Sequence, residues 1–128
     1  MAIYVSKNGN IHFYKGDSGN ITFKGLPTDK NYSVYLAISD PETNATVGDE
    51  LVIISNYSNS VTFTLASDFT DKFSVDEDNL FSVYQYGLKI CSGADEYTLI
   101  PKVEIVNENP IFKPAPKVIV HKKFVEGT

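Results

Sequence analysis

The residues able to do chemistry are few and scattered. The only two histidines, His12 and His121, stand near opposite ends of the chain, each within an alternating stretch that reads as a strand. His12 lies between Ile11 and Phe13, which turns it outward or into a second interface. The two could meet in space, but no carboxylate around either stands at a metal-ligand spacing. Both therefore read as ordinary surface residues. Cys91 has Lys89 two residues before it on the same face, and a nearby lysine can lower a thiol pKa. A reactive cysteine also needs a positioned base, and no histidine is close in sequence. Cys91 reads as a small half-buried apolar residue.

Acidic residues gather in two places: Asp40, Glu42, Asp49 and Glu50, and then Asp68, Asp71, Asp76, Glu77 and Asp78. Asp76-Glu77-Asp78-Asn79 is dense enough to weigh against calcium, which takes several oxygen ligands. It lacks the twelve-residue loop with a central glycine and a terminal glutamate, so a solvated acidic loop is the expectation. Lys15-Gly16-Asp17-Ser18-Gly19 lacks the spacing of a phosphate loop, and no long helix follows it. It reads as a turn that opens a strand, with glycine supplying positive φ. There is no Gly-x-Ser-x-Gly elbow. Asn-x-Ser/Thr triplets at Asn20, Asn31, Asn44 and Asn56 reflect a composition rich in Asn, Ser and Thr. No catalytic residue, cofactor site or metal site is expected, and the chain does not read as an enzyme.

Composition narrows the classes further. The 128 residues suit one domain, large enough to fold without a disulfide, which the single cysteine excludes in any case. The net charge is −5 and every basic residue is lysine, which argues against nucleic acid as a partner. Met1-Ala2-Ile3-Tyr4-Val5 lacks the charged and then apolar pattern of a signal peptide, and no run approaches the ~20 apolar residues of a membrane span. The expectation is a soluble chain made in a cytoplasm, with no membrane partner.

Period-two patterning must position whatever the chain presents. Tyr32, Val34, Leu36 and Ile38 alternate with Ser33, Tyr35, Ala37 and Ser39. Val61, Phe63 and Leu65 alternate with Thr62 and Thr64. Tyr84, Tyr86, Leu88 and Ile90 share one face, as do Tyr97, Leu99, Val103 and Ile105. Asn8-Gly9-Asn10, Gly16–Gly19, Gly25-Leu26-Pro27, Asp40–Asn44, Asn56–Asn59 and Ser92–Asp95 mark turns between strands. One short helical turn is expected after Leu65, capped by Ser67 and running through Phe73.

The segment 107–116 carries Pro110, Pro114 and Pro116, so it should be extended and unpaired. It leads to a last strand in which Val118, Val120 and Phe124 share a face. That strand can fold back onto its own sheet, the plainer course, or add to a neighbour's. The fold class is thus all-β: an antiparallel immunoglobulin-like or jelly-roll-like sandwich over 1–106, with one short helical turn. A C-terminal extended arm and final strand follow over 107–128. Deleting the arm is expected to abolish assembly and leave the rest folded.

The order of features resembles a known type of domain. Gly16-Asp17-Ser18-Gly19 leads into Asn20-Ile21-Thr22-Phe23, and a second strand follows at Tyr32–Ser39. Then come Ser60–Leu65, the turn Ser67–Thr70, the strand Tyr84-Gln85-Tyr86-Gly87-Leu88-Lys89-Ile90, and Glu96-Tyr97-Thr98-Leu99-Ile100-Pro101. This is similar to the small β-sandwich domains of tailed-bacteriophage virion proteins, such as the N-terminal domain of upper-baseplate proteins, across roughly residues 11–106. Two features depart from that pattern: Pro101 stands where glycine is expected, and everything from Asn107 onward is extra.

The resemblance implies a non-enzymatic structural protein, and no active site carries over. It would be a tail, baseplate, neck, capsid-decoration or head-fibre component, made in the host bacterial cytoplasm and residing in the virion. Its partners would be other virion proteins and further copies of itself. Tyrosine is enriched at interfaces, so Tyr4, Tyr14, Tyr35 and Tyr57 are the expected contacts on the sandwich. Pro110, Phe112, Val118, Val120 and Phe124 are those expected on the arm. The alternative is a carbohydrate-binding or adhesin-type module, in which parallel rings on a sheet face would stack on sugars.

Overall fold

The computed structural model describes residues 3–5, 10–76, 78–93, 95–98, 104–106, 111–112 and 117–122. Its strands are β1 (Ile3–Val5), β2 (Ile11–Tyr14), β3 (Gly19–Lys24), β4 (Ser33–Ser39), β5 (Leu51–Ile54) and β6 (Ser60–Leu65), then, after helix α1 (Ser67–Thr70), β7 (Phe81–Ser92), β8 (Asp95–Thr98), β9 (Glu104–Val106), β10 (Ile111–Phe112) and β11 (Lys117–His121). A curled larger sheet has the order β1-β2-β11-β7-β4-β5, with β8 also pairing with β7. A smaller sheet has the order β10-β9-β3-β6. The protein is all-β and sandwich-like, as the alternation predicts.

That alternation is carried out residue by residue. In β4, Val34, Leu36 and Ile38 are buried, while Ser33, Tyr35, Ala37 and Ser39 are only half-buried. In β6, Val61, Phe63 and Leu65 face in, and Thr62 and Thr64 face out. In β7, Tyr84, Tyr86, Leu88 and Ile90 face in, leaving Phe81, Val83, Gln85, Gly87 and Lys89 on the outer face. The inward sets meet as one core. Its fully enclosed side chains include Phe13, Phe23, Phe73, Leu36, Leu65, Val118 and Val120. Burying each such side chain stabilises the fold by roughly 1.5–3 kcal/mol.

The C-terminal strand takes the first of its two courses. β11 folds back into the middle of the larger sheet, parallel to β2 (Val118 opposite Ile11, Val120 opposite Phe13) and antiparallel to β7 (Val118 opposite Tyr84). The β2–β11 pair is the one parallel pair among the described strands, so the larger sheet is mixed where pure antiparallel pairing was expected. The last strand fills the slot between the β1–β2 hairpin and β7, antiparallel to β7 and so parallel to β2. Val118 and Val120 are 0% exposed. They are core residues, so the docking role expected of them is corrected. In this fold, removing 107–128 would take out an internal strand of the larger sheet.

The helix differs from its expected form. Ala66, in extended backbone, is the N-cap and makes no side-chain cap bond, while Ser67 is already helical. The turn is held from elsewhere. Thr70, completely buried, donates from Oγ1 to the Asp17 carbonyl (2.7 Å) and accepts from the Gly16 N–H (3.0 Å). Phe69 and Phe73 pack edge to face in the core, 5.5 Å apart. Tyr84 then ties down the next loop, donating from Oη to the Ser74 carbonyl (2.8 Å) and accepting from the Ser74 N–H (3.0 Å). Gly19 opens β3 where any side chain would collide with Ile3, a built Cβ lying 2.8 Å from its Cγ1. Among the described residues no helix is long and apolar enough to cross a membrane.

Candidate functional site

The outer face of the larger sheet carries the groups that chemistry or docking could use. Tyr4 on β1, His12 and Tyr14 on β2, and Ile119 and His121 on β11 all alternate outward, because their neighbours Ile3, Ile11, Phe13, Val118 and Val120 are buried. The register places Tyr4 opposite His12, His12 opposite Ile119, and Tyr14 opposite His121. On the other side of β11, Phe81 lies opposite His121 and Val83 opposite Ile119.

Four of these rings form a stack. Tyr4 lies on His12 with centroids 4.5 Å apart and planes 10° apart. His12 and His121 are 5.2 Å apart, and Tyr14 covers His121 at 4.8 Å. The imidazoles are joined by a hydrogen bond of 2.9 Å between His12 Nδ1 and His121 Nε2. The Tyr4 hydroxyl makes a longer contact of 3.4 Å to the same His121 nitrogen. In the bond between the imidazoles one nitrogen donates and the other accepts. His12 Nε2 is buried and has no partner among the described residues.

The electrostatics follow from this packing. Burial pushes the His12 pKa below its ordinary value, and the neighbouring His121 charge pushes it further. Burial lowers His121 as well. Burial raises the Tyr4 phenol, with a further contribution from Tyr14. Both imidazoles are therefore biased towards their neutral forms. Among the described residues no group of three or more His, Cys, Asp or Glu side chains gathers to hold a metal ion.

Two recesses flank this face. A cleft of about 430 Å³ runs between Asp40, Pro41 and Glu42 on one side and Phe81, Val83 and Tyr84 on the other, with Asp76 at its rim. Its carboxylates serve the chain's own turns: Asp40 Oδ1 accepts from the Glu42 N–H (2.8 Å), and Asp76 Oδ2 accepts from Asn79 Nδ2 (3.3 Å). A smaller recess of about 260 Å³ lies over Gly87 and Ala37, which face each other across β7 and β4. Tyr35, Lys89 and Glu50 border it, with the Lys89 ammonium 5.4 Å from the centre of the Tyr35 ring. A Cβ on Gly87 would meet nothing.

The expected contact residues divide accordingly. Tyr4 and Tyr14 join the ring stack, Tyr35 stands across the same face on β4, and Tyr57 is exposed in the turn after β5. Pro110 and Phe124 lie outside the described residues. Phe112 lies in β10, which pairs with β9, and its side chain is likewise outside the description. Sequence reasoning allowed that the histidines could meet but read both as ordinary surface residues, and it missed the exposed apolar residues Leu80, Phe81 and Val83, which are 78%, 48% and 41% exposed. The outward phase of Phe81 and Val83, opposite to Tyr84 and Tyr86, was the signal for the latter two. No family model, no curated protein and no solved structure matches the chain.

Proposed function

We propose that this chain is a non-enzymatic docking domain that assembles through the outer face of its larger sheet. We assign it to a bacteriophage virion, as a tail, baseplate, neck, capsid-decoration or head-fibre component. One observation carries the docking reading. Phe81 and Val83 stay exposed on β7 beside His121 and Ile119, on a strand whose opposite face is enclosed, and Leu80, just before the strand, is exposed as well. An apolar and aromatic patch rimmed by polar groups is what a protein partner covers. The virion assignment rests on the resemblance of the order of sequence features over roughly residues 11–106 to phage β-sandwich domains. Partners would be further copies of the chain and other virion proteins.

The test is the mass of the purified protein by light scattering across a concentration series. An oligomer that is lost in Val83→Lys supports docking through this face. A strict monomer at all concentrations removes self-assembly and leaves a different protein as the partner.

A carbohydrate-binding module is the second reading, and the recess over Gly87 favours it. A strand-interior glycine with ordinary backbone and an empty position above it marks a place where something else can lie close. Tyr35 offers a ring there, with Lys89 and Glu50 as polar partners. Glycan-array binding abolished by Tyr35→Ala would establish this reading, and no binding would remove it.

A further inference from the structure

We propose that His12 and His121 form an acid-sensitive latch on the C-terminal strand. The inference goes beyond docking and holds whether or not the chain assembles. It rests on where the two histidines stand. β11 fills the slot between β2 and β7, and along β2 its partner is a short hairpin of strands at the sheet edge. The shortest polar side-chain contact described across that seam on the outer face is the 2.9 Å bond between His12 Nδ1 and His121 Nε2. Rings cover it on both sides, Tyr4 on His12 and Tyr14 on His121, with Phe81 tilted against His121 at 6.2 Å.

The bond needs at least one neutral imidazole, because one nitrogen must accept. A second proton would set two cations at hydrogen-bond distance in a half-buried site, where repulsion is weakly screened. Among the described residues the groups facing the pair offer no compensation. β1 contributes the Tyr4 phenol, β2 the Tyr14 phenol, and β7 the apolar Phe81 and Val83. β11 itself adds Lys117 on the same face and Lys122 just beyond His121. Lys15, at the end of β2, is turned away to Asp71 and the Phe73 carbonyl. His12 Nε2, buried and without a described partner, has no acceptor for the proton that a cationic ring would place there.

The direction follows by linkage. Both imidazoles are held below their ordinary value while β11 is seated, and each returns to about 6.5 when the strand comes away. The unlatched form therefore binds more protons below about pH 6.5. The latch is fully engaged above that pH and weakens as pH falls from there towards the lowered values. For each proton taken up, the open form gains up to about tenfold per pH unit in that window.

Three measurements on the full chain test this. Nuclear magnetic resonance titration of the imidazole Cε1–H signals should place both midpoints below about 6.5; a midpoint at or above that value for either ring overturns the latch. Hydrogen exchange, corrected for intrinsic rates, should show amides of 11–14 and 117–121 opening more from pH 7 to pH 5.5 while β3 and β6 hold. Uniform loosening of both sheets, or none, overturns it. His121→Phe and His12→Phe keep a ring in the stack, and either should flatten the acid response of those amides. A response unchanged from the parent chain in both variants overturns the proposal.

Discussion

One sheet of this molecule has two unlike faces, and β7 and β11 show the difference best. Facing inward, Tyr84, Tyr86, Leu88 and Ile90 of β7 and Val118 and Val120 of β11 are almost wholly enclosed. Facing outward, the same strands offer Phe81, Val83, a glycine, a lysine, Ile119 and His121. The inner face is filled by packing, so each residue is fixed by the volume of its neighbours. Among the described residues the outer face is held only by side-chain contacts such as the ring stack, the Gln85–Asn44 bond and Lys89 over Tyr35, and it still carries large apolar side chains. A face that only met water would have no reason to hold Leu80, Phe81 and Val83 together. Substitutions that hit one face and spare the other test the contrast.

The largest effect is expected on the inner face of β11. Val120→Asp would bury an unpaired carboxylate at a fully enclosed position between β2 and β7, at a cost of more than about 4 kcal/mol, a large part of a small domain's stability. Circular dichroism should show the chain unfolded or close to it at neutral pH, and truncation before residue 107 should lower the urea midpoint by taking an internal strand out of the larger sheet. A truncated chain as stable as the parent would mean that β11 is dispensable. Next comes Phe73→Ala. Its ring sits among Phe13, Phe69 and Tyr84 at 5.0–5.5 Å, and truncation should lower stability by about 3–5 kcal/mol in a urea titration. Thr70→Val keeps the shape but strands the Gly16 N–H and the Asp17 carbonyl, for a loss of about 1–3 kcal/mol.

Tyr86 marks where the inner face is imperfect. Burial pushes its phenol pKa far up, and its hydroxyl has no partner among the described residues. Tyr86→Phe removes an unsatisfied polar atom and leaves the packing against Phe23 in place. It should be neutral or stabilising by up to about 1 kcal/mol, read as a raised urea midpoint. A clear loss would reveal a partner for that hydroxyl.

How much of this was legible in the sequence depends on the range of the interaction. Alternation is local, so the inward set of β4, β6 and β7 and the outward Tyr35 could be read directly from residues 32–39, 60–65 and 84–90. The hairpin β1–β2 follows from Asn8-Gly9-Asn10. The place of β11 could not be read. Val118 and Val120 announce a buried face, yet nothing in their spacing says whose sheet buries it, or that the strand runs parallel to β2. The histidine pair was hidden for the same reason. Its members are 109 residues apart and share no motif, and only the slot chosen by β11 brings them together. Tyr4 and Tyr14 were visible as outward tyrosines, but not their stacking on imidazoles.

The smallest change in stability is expected on the outer face, and there the comparison is sharpest. Val83 is 41% exposed on β7 opposite Ile119, so Val83→Lys adds charge where water already reaches. Its effect on folding should stay within about 0.5 kcal/mol, as for surface positions generally. A docking face responds differently from a solvated one. If a second protein covers Leu80, Phe81 and Val83, an ammonium placed among them must be desolvated on association without a carboxylate to meet it. The mass in solution should then fall towards that of a single chain while the urea midpoint stays put. Val120→Asp loses both together, so it cannot separate docking from folding. Val83→Lys can, because unchanged stability with unchanged mass would leave the outer face without a partner of this kind.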